Sequence, residues 1–384
     1  MSFVRRLKNL TFKKLLRKGR RFAKKNVVMF VALLAAVVTC FFVPPDREYL
    51  SYFDTKTLAC LFITLAVVCA LRNIKFFTIL ARKLVLLTGT LRTLFIMLIC
   101  ITFIGSMLIA NDMALITFLP LGYFALSVTK KEKYMAYLFI LQNISANLGG
   151  MLTPFGNPQN LYLYSYYNIE TAEFCSIMLK PFLLAIAMLI LCCFFVKNEK
   201  LNINEKFPEK LSVKRTVLYL LLFAVSLLVV FRVVPVLAGL VLITAVLLIV
   251  DRDSLLMVDY PLLLTFFFFF IFAGNLARIE EVKEFFNILL NLDTLLVSVL
   301  SCQFISNVPT AILLSQFTTD YYSLLLGVNI GGTGTLIASL ASLITFSEFK
   351  ILYPNCSKRY LILFTVINFA FLIVMTVCAK LFFI

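Results

Sequence analysis

Four short segments of this chain gather residue types that can bind a charged solute. Each lies inside an apolar run. The first is Gly149-Gly150-Met151-Leu152-Thr153-Pro154-Phe155-Gly156-Asn157-Pro158-Gln159-Asn160, within the uncharged stretch 134–169. Its two prolines, three glycines and several amides cannot continue a regular helix. Unwinding frees carbonyls to coordinate a cation, and frees N–H groups at the start of the next half-helix to meet an anion. The plain alternative is a kink satisfied by neighbouring helices, but a kink needs only one proline. The second segment is Gly331-Gly332-Thr333-Gly334-Thr335, followed by Leu336-Ile337-Ala338-Ser339-Leu340-Ala341-Ser342. Its small residues also suit close helix packing.

The third segment is Asn111-Asp112, a carboxylate in the middle of the apolar run 93–129. It can offer hard oxygens to Na⁺ or carry a coupling proton, and it can also cap a half-helix. The fourth is Ser306-Asn307-Val308-Pro309-Thr310. Pro309 suits a first helical turn, which sets an amide and a hydroxyl near an N-terminus, whether as ligands or as plain caps. The candidate substrate contacts are Asn111, Thr153, Asn157, Asn307, Thr310, Thr335 and Ser339. The candidate cation ligands are Asp112, Gly150, Ser306 and Gly332, the glycines through their carbonyls.

The elements that must hold these segments are membrane-spanning. A span needs about 20 apolar residues. Nine stretches qualify: 27–44, 54–71, 134–165, 174–196, 216–231, 233–250, 260–277, 321–347 and 360–380. Irregular backbone is not viable against lipid, so the breaks within 134–165 and 321–347 must face protein or a watery cavity. With the N-terminus inside, and with 93–129 and 294–319 as re-entrant hairpins, 29 of the 36 Lys+Arg fall on the inner side and the C-terminus lies outside. Two full short spans in 93–129 satisfy the same count.

Internal repetition orders the segments. Asn147-Leu148-Gly149-Gly150-x-x-Thr153 returns as Asn329-Ile330-Gly331-Gly332-x-x-Thr335. A hairpin with a central Asn lies upstream of each, and further upstream an amphipathic stretch, Lys75–Leu80 or Glu284–Leu289. The expected fold is therefore an all-α polytopic membrane protein of two inverted repeats, each with a re-entrant hairpin and a broken helix. Along the chain this gives a basic cytoplasmic segment (1–26), a first transmembrane helix with its outer loop (27–53) and a first repeat (54–196). A cytoplasmic linker (197–215) and a second half (216–384) follow.

Composition agrees and excludes. The chain has 384 residues, 62% hydrophobic and 14% charged, more apolar surface than a soluble fold can hide. It has no His and no Trp. Imidazole relays and Ser–His or Cys–His catalysis are thus absent, and an enzyme is not expected. The net charge of +17 could serve nucleic acid, but the cations flank apolar runs. Eleven of them lie between Arg5 and Lys25, a head suited to anionic lipid. The ten Cys are scattered without a C-x-x-C and read as packing residues.

These residues resemble the ion transporter superfamily, in its divalent anion:sodium symporter branch of citrate and dicarboxylate permeases, over about residues 54–380. Gly149-Gly150-x-x-Thr153-Pro154-x-Gly156-x-Pro158-x-Asn160 is similar to the family's G-G-x-x-T-P-x-G-x-P-P-N, with Gln159 in place of the penultimate proline. Asn111 and Asn307 match the Asn of its Ser-Asn-Thr hairpin motif, Ser306 matches the Ser of the second copy, and Pro120 matches the proline closing the first hairpin. The resemblance implies hairpin tips and broken helices that bind sodium and a carboxylate substrate in a homodimer. An Asn-Asp hairpin is also similar to the arsenite and sodium/proton antiporter branches. The expectation is a secondary transporter of the cytoplasmic membrane. It moves a small anion, a di- or tricarboxylate, coupled to Na⁺ or H⁺ and with no cofactor. The alternative is an Na⁺/H⁺ or oxyanion antiporter of the same superfamily.

Overall fold

The computed structural model describes residues 26–201 and 211–384. The basic head assigned to 1–26 lies outside the described residues except for Asn26, as does 202–210 of the linker. Among the described residues the architecture is all-α, with one isolated bridge pairing Thr90 with Lys200. Eight of the described helices are long and apolar enough to cross a membrane.

The helices are α1 (Val27–Cys40), α2 (Thr55–Asn73), α3 (Phe76–Val85), α4 (Leu91–Ile109), α5 (Asn111–Val128) and α6 (Met135–Gly149). Then come α7 (Pro158–Tyr166), α8 (Thr171–Cys193), α9 (Val213–Val230), α10 (Val236–Val250), α11 (Arg252–Leu256) and α12 (Tyr260–Ala277). The last are α13 (Glu280–Ile305), α14 (Asn307–Leu314), α15 (Tyr321–Ile330), α16 (Leu340–Leu352) and α17 (Ser357–Cys378).

Local chemistry sets their ends. Thr90 and Thr93 exchange side-chain and backbone hydrogen bonds in a capping box that starts α4. Asp320 Oδ1 accepts from Ser323 N at 3.0 Å to start α15. Asp293, at φ −169° and ψ 95°, divides α13 into an amphipathic first part and an apolar second part. Its Oδ1 caps the second part by accepting from Leu296 N at 2.9 Å, and its other oxygen pairs with Lys380. The charge-free stretch read from sequence as 294–319 begins at the residue after this division.

The chain forms two compact units. One comprises Met1–Asp54 and Asp259–Lys283. In it α1 packs along α12, and Asn275 Nδ2 donates to Thr39 Oγ1 at 3.2 Å. Arg278 binds Asp46 at 2.7 Å and the Tyr52 hydroxyl at 3.1 Å. Leu34, Phe41 and Phe42 are exposed, a surface suited to lipid rather than water.

The other unit comprises Thr55–Val258 and Glu284–Ile384 and holds every candidate site residue. Here α4 and α5 lie side by side, and both pack on α6. Gln142 of α6 bridges the two limbs, its Nε2 donating to Thr102 Oγ1 and to Phe118 O, each at 3.2 Å. α7 packs against α14 and α15. At the far end of α7, Arg232 from the α9–α10 loop donates to Tyr164 O at 2.7 Å and Ile169 O at 3.2 Å, with its guanidinium 4.3 Å from the Tyr164 ring centroid.

Candidate functional site

The two hairpin tips repeat each other in detail. The chain turns between α4 and α5 at Ala110 (φ 63°), and before α14 at Ser306 (φ 75°). Left-handed φ at a non-glycine residue costs of order 1–3 kcal/mol, so the surroundings must enforce both turns. The residue after each turn is an Asn whose Oδ1 accepts from the next backbone N–H. That donor is Asp112 N for Asn111 and Val308 N for Asn307, each at 2.9 Å. Thr310 donates its hydroxyl to Ser306 O at 2.8 Å, inside its own helix. Ser306 Oγ donates to Ala338 O at 3.3 Å.

The two interruptions also match. α6 ends at Gly149, and Gly150–Leu152 make a tight turn. The chain is then extended at Thr153, and Asn157 (φ −138°, ψ 144°) stands at the N-cap of α7 ahead of Pro158. α15 ends at Ile330, and Ser339 (φ −148°, ψ 142°) stands at the N-cap of α16. Each break is tied to its own hairpin through the same position. Thr153 Oγ1 donates to Met107 O at 2.8 Å, and Thr335 Oγ1 donates to Gln303 O at 3.0 Å. A Cβ on Gly149 would lie 2.3 Å from Phe103 O, so only glycine lets α6 approach the first limb this closely.

At the centre the copies cross. Asn147 Oδ1 accepts from Ser339 Oγ at 2.7 Å and from Asn111 Nδ2 at 3.2 Å. Asn329 Oδ1 accepts from Asn157 Nδ2 and Gln159 Nε2, each at 3.4 Å, while Asn329 Nδ2 donates to Asn160 Oδ1 at 2.6 Å. The N-cap residue after each break thus binds the Asn that precedes the other break. All of these side chains are buried. Asn143 Nδ2 adds a bond to Ser342 Oγ at 3.2 Å.

The centre is not saturated. Asn147 Nδ2, Asn143 Oδ1, Ser145 Oγ, Asn157 Oδ1 and Gln159 Oε1 are buried without hydrogen-bond partners. Leaving such a group unpaired costs about 1–3 kcal/mol, a price a fold rarely bears repeatedly in one place without use for it. Buried oxygens of this kind suit a cation, and a buried amide donor suits an acceptor-bearing solute.

The structure therefore brings Asn111, Asn157 and Ser339 into one network. Asn307, Thr310 and Ser306 lie at the second tip, where the Asn307 N–H donates to Ala338 O at 2.9 Å. Thr153, Thr335 and Thr310 spend their hydroxyls on backbone carbonyls. Gly150 O accepts from Asn160 Nδ2 at 3.2 Å, and a Cβ on Gly332 would lie 3.1 Å from Asn307 Nδ2. Asp112 is half-buried in the first turn of α5.

Sequence reasoning missed Asn147, Asn329, Gln159, Asn160 and Asn143 as site members. Their signal was present as amides inside charge-free spans, where no polar group is idle.

Comparison with known proteins fits this geometry. A family described as citrate transporter matches residues 18–323. An uncharacterized transporter of Methanocaldococcus jannaschii is 34% identical over 358 residues, covering 92% of this chain and 97% of that protein. The inner membrane protein YbiR of Escherichia coli is 29% identical over 325 residues, covering 81% and 85%. A silicon efflux transporter of Oryza sativa is 33% identical over 172 residues, covering 44% and 35%.

Proposed function

The chain belongs to the citrate transporter family, and from that premise we propose that it is a secondary active transporter of a small anion, a di- or tricarboxylate, coupled to Na⁺ or H⁺. It is a multi-pass membrane transporter and not an enzyme. One observation carries the finer reading. Two interrupted helices exchange side-chain hydrogen bonds across a buried centre that keeps unpaired oxygens and an unpaired amide donor.

In the proposed cycle the halves have opposite orientation, with the N-terminus inside and the C-terminus outside. A cation taken at the hairpin tips and breaks, with Asp112, Gly150, Ser306 and Gly332 as its first candidates, orders these segments. The anion then docks against the N-terminal ends of α5, α7, α14 and α16, where the helix dipoles favour negative charge without a buried lysine or arginine. Asn111, Asn157, Asn307 and Ser339 give it directional bonds. Thr153, Thr310 and Thr335 set the backbone around it. The basic head meets anionic lipid, and two copies form the working dimer.

Asp112 favours a second reading. It is a carboxylate in a segment otherwise free of charge, suited to exchange Na⁺, H⁺ or an oxyanion without an organic solute. A relative named for silicon efflux is in keeping with solutes other than carboxylates in the wider kinship. Flux into proteoliposomes tests both. Citrate or succinate uptake driven by a Na⁺ or pH gradient supports the first reading. Cation exchange unaffected by either anion supports the second. Neither flux in folded, reconstituted protein rejects both.

A further inference from the structure

The two breaks differ in how their freed backbone is satisfied. Gln303 lies in the limb preceding the second tip, at the place that Met107 holds in the first copy, and its side chain is buried. Its Nε2 donates to Gly331 O at 2.9 Å, Val299 O at 3.0 Å and Thr333 O at 3.1 Å. Its Oε1 accepts from Thr335 N at 2.9 Å. The loop is shaped to this amide. Gly334 takes φ +108°, and a Cβ there would lie 2.2 Å from Gln303 Oε1. Three carbonyls converging on an NH₂ with two hydrogens form an oxygen shell of the kind that elsewhere replaces the hydration of an ion.

The first break is closed from the other side, by an amide of its following half-helix rather than of its hairpin limb. Met107 has no amide to offer. The stitch comes instead from Asn160 of α7, whose Nδ2 reaches Gly150 O and Met151 O at 3.2 Å and Thr153 O at 3.5 Å. Buried oxygens are still left over on α6 and α7, at Asn143, Ser145, Asn157 and Gln159. Among the described residues from 294 to 352, no buried side-chain polar atom lacks a partner.

We propose that the Gln303 amide stands permanently where the symmetry of the two copies would put an exchangeable cation, so that the chain takes cation at its first break alone. Gln303 is a positioning residue, acting through the backbone of Gly331–Thr335. This inference rests on the transport reading above and sharpens it, because it confines the cation to the first break, with Asp112 and Gly150, and removes Ser306 and Gly332 from its ligands.

The test counts bound ²²Na⁺ on the full chain purified in detergent, with choline as the replacing cation. Gln303→Glu sets a carboxylate oxygen against Gly331 O and Thr333 O, a repulsion that bound Na⁺ relieves. The count is expected to rise from one per chain in the wild type to two, and the unfolding temperature of the variant should climb with Na⁺ more steeply than the wild type's. Should Gln303→Glu fail to fold, Gln303→Met combined with Ser342→Asn gives the second break the first break's residues at these two positions, and the same rise is expected. Two ions on the wild type, none on the wild type, or equal counts in the wild type and a folded variant overturn the inference. Anion flux is measured separately. Flux without any bound Na⁺ leaves transport standing and removes this cation assignment, whereas one bound Na⁺ without flux does the reverse.

Discussion

The first and second breaks are built from one plan and finished differently. Both follow an Asn-x-Gly-Gly, both return a threonine hydroxyl to the hairpin four residues before its Asn, and both end on an N-cap side chain that reaches the other copy. The first is stitched by an amide from its own following half-helix and keeps surplus buried oxygens. The second is stitched by Gln303 from its hairpin limb and keeps none among the described residues. The two breaks share an architecture, while two exchanged residues, Met107 against Gln303 and Asn160 against Ser342, change which amide meets the freed backbone.

The comparison breaks first at the crossing. Asn147→Leu strands the donors of Asn111 and Ser339, and Asn329→Leu strands the donor of Gln159 and the Asn160 Oδ1 acceptor, while Asn157 Nδ2 keeps Asn147 O at 3.2 Å. Each buried donor left unpaired costs about 1–3 kcal/mol. Both variants should lose uptake in proteoliposomes and unfold at lower temperature. Tolerance at one Asn but not at the other would refute the reciprocity. A smaller effect is expected at the tips, where Asp112 in the first copy holds the position that Val308 holds in the second. Asp112→Asn should keep the unfolding temperature and reduce gradient-driven uptake by about 5- to 150-fold, the range of ordinary coupling energies. Full gradient-driven uptake would remove Asp112 from coupling.

Smaller again is Thr153→Val, which deletes one donor to Met107 O. About 1 kcal/mol of stability should go, with a like loss for Thr335→Val. A half-saturation constant that stays fixed in both would take these hydroxyls out of direct solute contact. The smallest effect is peripheral. Lys131 and Glu199 pair next to the Thr90–Lys200 bridge, and the hydrogen bond from Lys131 holds the Glu199 carboxyl below its ordinary value. A lowered folded-state value stabilises fully above the ordinary carboxylate range and is lost as pH falls through it. Hydrogen exchange at Leu91 and Leu201 should therefore quicken on acidification below about pH 4, and Glu199→Gln should flatten that dependence.

The plan was legible in sequence wherever the chemistry is local. Prolines, glycines and the Asn-Gly-Gly repeats marked both interruptions. Two helices, Leu91–Ile109 and Asn111–Val128, cover the stretch read as 93–129, each long and apolar enough to cross a membrane, and the kink at Asp293 falls one residue before the stretch read as 294–319. The pairing of the amides was not legible. Asn157 meets Asn329, and Ser339 meets Asn147, across more than 170 residues of chain, and an amide bonds equally well to any neighbour. Gln303 escaped notice because a single polar residue in an apolar limb reads as filler until the loop that wraps it is seen.

The clamp on Tyr164 and Ile169 has a consequence for the opposite end of α7. A helix of nine residues is too short to hold its own direction in isolation. Arg232 anchors its carbonyl end, and so aims the field of its amino end like a lamp fixed at the base. Shortening that arginine would leave every contact residue in place and blur the beam, and on the proposed reading solute affinity would fall without the loss of a single ligand atom.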